Sequence, residues 1–464
     1  MLVAEHADTL NVGESPEATD ATTLRPTRRA SIAGVFMTAK ASAIASCSSA
    51  KASLGLGADG GPKGSNWQLL ARPRFRWYFA GSVVSNFGTW LQNTAQVVLA
   101  YQLTHSVFWV GVVTCAQFTS PLLLGPWAGV ATQWFGNWRT LIVTQSASLL
   151  ISASLATLQA CGAMTRTWLI AGAVGIGLAY TFALPALSVT VAALVPPAEV
   201  KRALAMDSVS YNIGRALAPV LSVIVFMNVG FGLAFALNAV SFGFFTGVLL
   251  WLRPPQAGRT ANRSRVMDGI RFAYRDRRIM VLLLMVAAVT VAADPILVLG
   301  PSVARSFHHS ADLSGVFIAA LGAGNVIGSF RRSRSEASIR HAASALCLLS
   351  VAMMVFVMAH WIWLSVAAAA VAGVACLLAG ATLRTLLLRH AGGPERQAAV
   401  MAAWAVAWAG SKPIASFADG ALAGSALGMR STAILLALPA LVPALILVGF
   451  PKFGKRLVRH MAFR

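Results

Sequence analysis

Long apolar runs separated by short polar gaps dominate this chain, and its basic residues collect mostly in every second gap. A run of about 20 apolar residues is long enough to cross about 30 Å of hydrocarbon as an α-helix. Inside hydrocarbon every backbone N–H and C=O must be paired within the segment, which selects helices. A barrel would need short alternating strands, and these runs do not alternate. The runs predict twelve spans, at 77–99, 108–131, 140–161, 168–192, 205–228, 231–252, 279–301, 314–330, 341–359, 361–385, 400–425 and 431–451. The eighth is the weakest, being short and rich in glycine at Gly315, Gly322, Gly324 and Gly328. The expected fold class is an all-α membrane protein with twelve transmembrane helices. Composition agrees: 57% of residues are apolar and 11% are charged, against about 25% charged in soluble domains.

The placement of charge predicts topology. The 37 Lys and Arg outnumber the 15 Asp and Glu, giving a formal net charge of +22. Thirty-two of the basic residues fall on one side of the twelve-span arrangement, and Arg166, Arg305 and Arg430 fall on the other. Basic loops stay on the cytoplasmic side, so both termini and the central linker are expected there. The expected location is a membrane that the chain crosses many times. Dispersal of the charge over several loops and tails favours contact with anionic lipid over nucleic acid. Cys47, Cys115, Cys161, Cys347 and Cys376 are widely spaced with no CxxC, so neither a disulfide framework nor a metal site is read.

The chain divides into five parts. Residues 1–66 are rich in Ala, Ser, Thr and Gly and read as a disordered cytoplasmic tail or as a start codon placed too far upstream. Five acids in the first twenty residues argue against a transit peptide. Ile44–Cys47 loosely resembles a lipoprotein cleavage site, but Lys40 breaks the run before it. Residues 67–252 and 279–451 each hold six spans. Between them, 253–278 is an Arg-rich linker in which Val266, Ile270, Phe272 and Ala273 alternate with charges, the pattern of a short amphipathic helix lying on the membrane surface. Residues 452–464 form a basic tail.

An internal echo links the halves. Pro197-Ala198-Glu199, Ala203, Met206 and Gly214 recur as Pro394-Glu395, Ala398, Met401 and Gly410, at offsets near 196 residues. Two six-helix blocks repeated in parallel are the build of a rocking transporter.

A series of short segments carries a resemblance. They are Arg74-Phe75-Arg76-Trp77, Ser85-Asn86-Phe87-Gly88-Thr89-Trp90-Leu91-Gln92, Tyr101-Gln102-Leu103-Thr104-His105-Ser106, Val110-Gly111, Pro185-Ala186, and Asn212-Ile213-Gly214-Arg215-Ala216-Leu217-Ala218-Pro219. In order and spacing the chain resembles the major facilitator superfamily over roughly 72–450. More narrowly, it is similar to the bacterial multidrug and siderophore exporters called transmembrane secretion effectors. The resemblance implies the major facilitator fold, two pseudo-symmetric six-helix bundles, and secondary transport without a cofactor, driven by a proton gradient. It also implies a gating loop after the second span, here Gly129, Gln133, Gly136 and Arg139. The family carries an acid where this chain has Gln133, which implies a weaker latch.

Charges within spans are costly and mark function. Asp294, just before Pro295, is the candidate proton carrier; the alternative is a helix-end acid satisfied by water. Arg215 pairs with an acid, binds an anionic cargo, or clamps a neighbouring helix. Lys412 and Asp419 are seven apart and share a helix face, flanking a cavity or snorkelling to opposite interfaces. Asn86, Asn93 and Gln96 follow helical spacing on span 1, and either Tyr180 or Thr181 faces inward from span 4; polar residues of this kind line a cavity or join helices.

No Walker loop, HExxH or paired-carboxylate motif appears, so ATP is not the expected energy source and the chain is not expected to be an enzyme. The expectation is a monomeric, proton-coupled efflux antiporter for a lipophilic drug, siderophore or similar metabolite. A uniporter or importer of the same fold, and a non-transporting membrane sensor or assembly partner, are the alternatives.

Overall fold

The computed structural model describes residues 66–253, 275–332, 337–391 and 394–449. The expected tails and the expected linker helix fall largely or wholly outside these residues. Apart from a short helix at Asn66–Leu70, the described residues hold twelve long helical segments. The first six are α1 Pro73–Thr104, α2 Val107–Phe135, α3 Asn137–Ala160, α4 Arg166–Ala193, α5 Val200–Asn228 and α6 Phe231–Leu252. Next comes α7, broken into Arg277–Ala293, Pro295–Val298 and Gly300–Ser306. The last five are α8 Ser314–Arg332, α9 Ile339–Met358, α10 Ile362–Ala391, α11 Pro394–Ala423 and α12 Gly428–Gly449.

Nine of these segments, α2 to α10, are apolar enough over 18 residues to cross a membrane on composition alone. Two of the others, α1 and α11, carry the polar side chains that the sequence places inside spans. Their lower apolarity is the cost of that cargo of Asn, Gln, Lys and Asp.

The two halves repeat one packing scheme. In the first, α1 lies against α5 and α6, α2 against α4, and α3 against α4 and α6. In the second, α7 lies against α11 and α12, α8 against α10, and α9 against α10 and α12. The halves meet along two seams, α2 with α11 and α5 with α8. These seams exchange when the halves are exchanged, which is the mark of a two-fold pseudo-symmetric pair.

Glycine sets how close the seams come. A Cβ on Gly111 of α2 would sit 2.5 Å from the Ser416 carbonyl oxygen of α11, and one on Gly322 of α8 would sit 2.6 Å from Ala216 Cα of α5. Only a residue without a side chain permits such backbone approach. The glycines that make span 8 weak as a sequence signal are therefore its packing surface.

The end of the bundle bearing the Arg72, Glu199 and Arg202 cluster is called here the basic end, and the opposite end the distal end. Glu199 pairs with both Arg72 and Arg202 at 3.2 Å, tying the start of α1 to the start of α5. Cap residues fix other starts: Asp276 accepts from the Arg278 and Ile279 backbone N–H at the head of α7, and Ser338 from His341 at the head of α9. The break in α7 follows from Pro295, which lacks an N–H and crowds the preceding turn. The bonds there tighten, Leu297 N–H reaching the Asp294 carbonyl at 2.8 Å.

Candidate functional site

One stripe of α2 shows how the halves are arranged. Gly111, Phe118, Leu122, Gly125 and Gly129 recur at helical spacing on a single face. At the distal end this stripe is packed: Gly111 abuts Ser416 and Gly420 of α11, and Leu122 abuts Gly410. Toward the basic end none of the described residues lies within 4 Å of the positions where Gly125 and Gly129 would carry a Cβ. The second seam behaves alike. Near the distal end Pro219 and Val223 of α5 are packed on Gly315 of α8. Toward the basic end Leu204, Ser208 and Tyr211 of α5 are exposed. The halves thus close at the distal end and part toward the basic end.

A hydrogen bond crosses the closed end. Gln102 Nε2 at the end of α1 donates to Asp312 Oδ1 at 2.7 Å, and Ser310 Oγ donates to the other carboxylate oxygen at 3.2 Å.

Below this closure lies a buried charged group shared by both halves. Asp294 sits at the break in α7, 4% exposed, where the side chain of Ser416 on α11 donates to its Oδ2. The nearest cations are Lys412, one turn before Ser416 on α11, and Arg215 of α5, and among the described residues neither forms an ion pair with Asp294 within 4 Å. Lys412 Nζ also lies 4.1 Å from the centre of the Phe118 ring of α2, and the Arg215 guanidinium 5.4 Å from the Trp90 ring of α1. Both contacts suit a cation over an aromatic face. Asp419, two turns beyond Lys412, is fully buried, and neither carboxylate oxygen has a hydrogen-bond partner among the described residues. A void of ≈ 10 Å³, about one water, is lined by Asn93, Gln96, Gln117, Phe118, Leu297 and Lys412 among others. Gln96 reaches it with neither amide atom hydrogen-bonded among the described residues, while Asn93 accepts from Gln117 Nε2 at 2.9 Å.

The other sequence candidates are placed as follows. Asn86 donates to Ser82 Oγ at 3.2 Å and to Ser210 Oγ at 2.9 Å, joining α1 to α5. Thr181 is buried and its hydroxyl donates to the Gly177 carbonyl at 2.7 Å, so it is held within α4. Tyr180 is the half-buried member of that pair. Gly129 and Gln133 belong to the last turns of α2, which runs on to Phe135, rather than to a loop. The connection is Gly136 alone, at φ 82°, a left-handed value that favours glycine. Arg139 is exposed on the first turn of α3.

Sequence reasoning missed three features. Asp207 of α5 accepts from Ser82 Oγ at 3.0 Å. It lies near the start of its helix, where a charge draws no notice, yet Asp207, Tyr211 and Arg215 at four-residue spacing were a readable signal. Arg384 of α10 sits 5.2 Å from the Trp404 ring, which stacks on Trp408. Ser416 is a small polar residue of a kind common in spans, with nothing local to point toward Asp294.

Twelve helices in two equivalent bundles, meeting at two exchanged seams around a buried charge cluster, define a multi-pass membrane transporter of the major facilitator type. Solved structures of that type superpose on this chain. A bacterial homologue of the human lysosomal transporter Spinster, inward-facing and unoccupied, matches at TM-score 0.64 and 13% identity over 80% of this chain and 96% of that one. The peptide-transporter-family protein PepTSo matches at 0.64 and 12% over 83% and 99%. The nucleoside transporter NupG, as a D323A mutant, matches at 0.64 and 12% over 81% and 99%. At these identities the likeness establishes the fold. The profile of the transmembrane secretion effector family matches residues 64–453, and the chain belongs to that family. No curated protein matches it. Family and structural neighbours are transporters, not enzymes.

Proposed function

We propose that this protein is a proton-coupled secondary transporter that exports a lipophilic drug, siderophore or similar small metabolite by alternating access. It acts as a monomer in a bacterial inner membrane, with the basic end in the cytoplasm and the proton gradient as its energy source. The observation that carries the reading is the Asp294 group. A buried carboxyl at a break in α7 accepts from Ser416 of α11 and is faced by cations from both halves, Lys412 and Arg215.

Binding a proton there cancels a negative charge that lies near two cations, Lys412 and Arg215. Lys412 and Arg215 then favour a different arrangement of α7, α11 and α5, and these helices form or flank the seams between the halves. A proton can therefore bias the rocking equilibrium in proportion to its differential affinity for the two arrangements. In the present arrangement the opening faces the basic end, the side from which an exporter loads.

The test is proton movement in proteoliposomes under an imposed pH gradient, across a panel of lipophilic cations, antibiotics and siderophores. One or more compounds is expected to trigger proton flux, and Asp294→Asn to reduce that flux at least tenfold. Flux that survives in the variant would remove Asp294 from the mechanism. Binding without flux would favour the sensor reading, to which the neutral Gln133 on α2 points.

A further inference from the structure

Asp419 stands one turn beyond Ser416 on α11, and Ser416 is the residue that donates to Asp294. Side chains three apart on a helix are neighbours, with about 5–6 Å between their Cβ atoms. The three residues therefore follow one another along the contact of α7 with α11, and the Asp294 charge is near enough to act on Asp419. Asp419 precedes the end of α11 at Ala423 by about 6 Å along the axis, which puts it on the distal side of Ser416.

The two carboxyls are provided for unequally. Asp294 has the Ser416 hydroxyl as a donor and Lys412 and Arg215 as its nearest cations. Asp419 is fully buried, with neither oxygen hydrogen-bonded among the described residues. The helices packed on α11 are α2, α7, α10 and α12. No Lys, Arg, His, Asp or Glu occurs on α2 over 107–135, on α10 over 362–383 or on α12 over 431–449, and α7 has Asp294 alone between Arg278 and Arg305. The thiols of Cys115 on α2 and Cys376 on α10 are the other titratable groups of those stretches. On α11 itself Lys412 is two turns away, with its Nζ over the Phe118 ring. An ionised carboxylate without donor or counter-ion in apolar surroundings is far costlier than its neutral acid. The seal over Asp419 is the glycine seam: the next residue, Gly420, packs on Gly111 of α2, and Phe417 lies edge-on to Phe108 of α2 at 6.1 Å.

We propose that Asp419 is a second proton-binding residue, the distal station of the path that Asp294 serves, and that the Gly111–Gly420 seam controls its access to water. With the seam closed, Asp419 holds the proton and Asp294 is the carboxylate. When the seam parts, water reaches Asp419 and its O–H bond breaks. Ser416 Oγ takes that proton while releasing its own to Asp294 Oδ2, and the Asp419 carboxylate is reprotonated from the distal side. The use of this step in transport rests on the antiport reading; the proton on Asp419 does not.

The experiment is infrared spectroscopy of the purified full-length protein in lipid at neutral pH, without cargo, reading the C=O stretch of protonated carboxyl groups. Wild type is expected to show a band that Asp419→Asn removes and Asp294→Asn keeps. In deuterium oxide that band is expected to shift at least threefold faster in Gly111→Leu, which spreads the seam, than in wild type. A spectrum unchanged by Asp419→Asn, or an exchange rate unchanged by Gly111→Leu, overturns the proposal. If Asp419→Asn fails to fold by size exclusion, Asp419→Glu decides, because it keeps an acid and is expected to move the band; a band that stays in place overturns the proposal. Proton flux is measured separately. An Asp419-dependent band in a protein without flux keeps the proton site and defeats the antiport reading. Flux that is lost in Asp294→Asn, with no Asp419-dependent band, does the reverse, so the two failures are distinct.

Discussion

Asp419 and Gln92 show what a polar side chain in a span can be for. Gln92 Oε1 accepts from Ser152 Oγ of α3 at 2.7 Å and from Asn238 Nδ2 of α6 at 2.8 Å, deep inside the first bundle. It holds helices together, and its place one residue before Asn93 gives no hint of that in the sequence. Asp419 differs, with both oxygens buried and without a hydrogen-bond partner among the described residues. An unsatisfied buried polar group costs about 1–3 kcal/mol, and more when charged. Asp419→Asn keeps the size and removes the ionisable group, so it is expected to raise the thermal midpoint of the detergent-solubilised protein by a few degrees. A lowered midpoint would mean that the carboxylate has a partner that matters for folding.

At the scale of the helices, backbone contact along the α2–α11 seam holds the distal end closed. Gly111 and Gly420 face each other there, and a Cβ on Gly420 would lie 2.9 Å from Gly111 Cα. Gly111→Leu is expected to push α2 and α11 apart at that end. In a cysteine-free background, a reporter cysteine at position 103 should then react faster with an impermeant maleimide, by at least threefold. The same change at Gly129, where the space is open, should leave the distal reporter within twofold of the parent. Equal effects from both would show that the seam is not what closes this end. The helices themselves were legible as apolar runs. Their ends were not: α2 runs four residues past its apolar stretch and absorbs Gln133, because Gly136 at φ 82° is where the chain can turn.

For the whole molecule, the closed distal end is one side of a two-state equilibrium, and small contacts set its position. The Gln102–Asp312 bond joins the halves at a partly exposed site, where such a bond contributes about 0.5–1 kcal/mol. Removing it with Asp312→Ala is expected to shift the ratio of distally closed to distally open molecules by roughly two- to fivefold toward open. Spin labels at positions 103 and 309, on either side of this closure, would report the change as growth of a longer-distance population. An unchanged distance distribution would place the closure wholly in the glycine seams.

The sequence by itself determined that this chain is helical and membrane-spanning, that it repeats, and that Asp294, Arg215, Lys412 and Asp419 stand inside spans. Those facts follow from local physics: backbone pairing in hydrocarbon, the length of apolar runs and the cost of charge. Only the tertiary structure decided which of these charges meet. Ser416 lies 122 residues from the Asp294 it hydrogen-bonds, and Arg215 reaches the group from the other half of the chain. Tertiary structure also left Tyr180 half-buried, buried Thr181 against its own helix, and joined Asp207 to Ser82 of α1. Each of these depends on how a helix is rotated about its axis. Rotation is set by the shape of the packed faces, and apolar runs that are hydrophobic all round leave it unspecified.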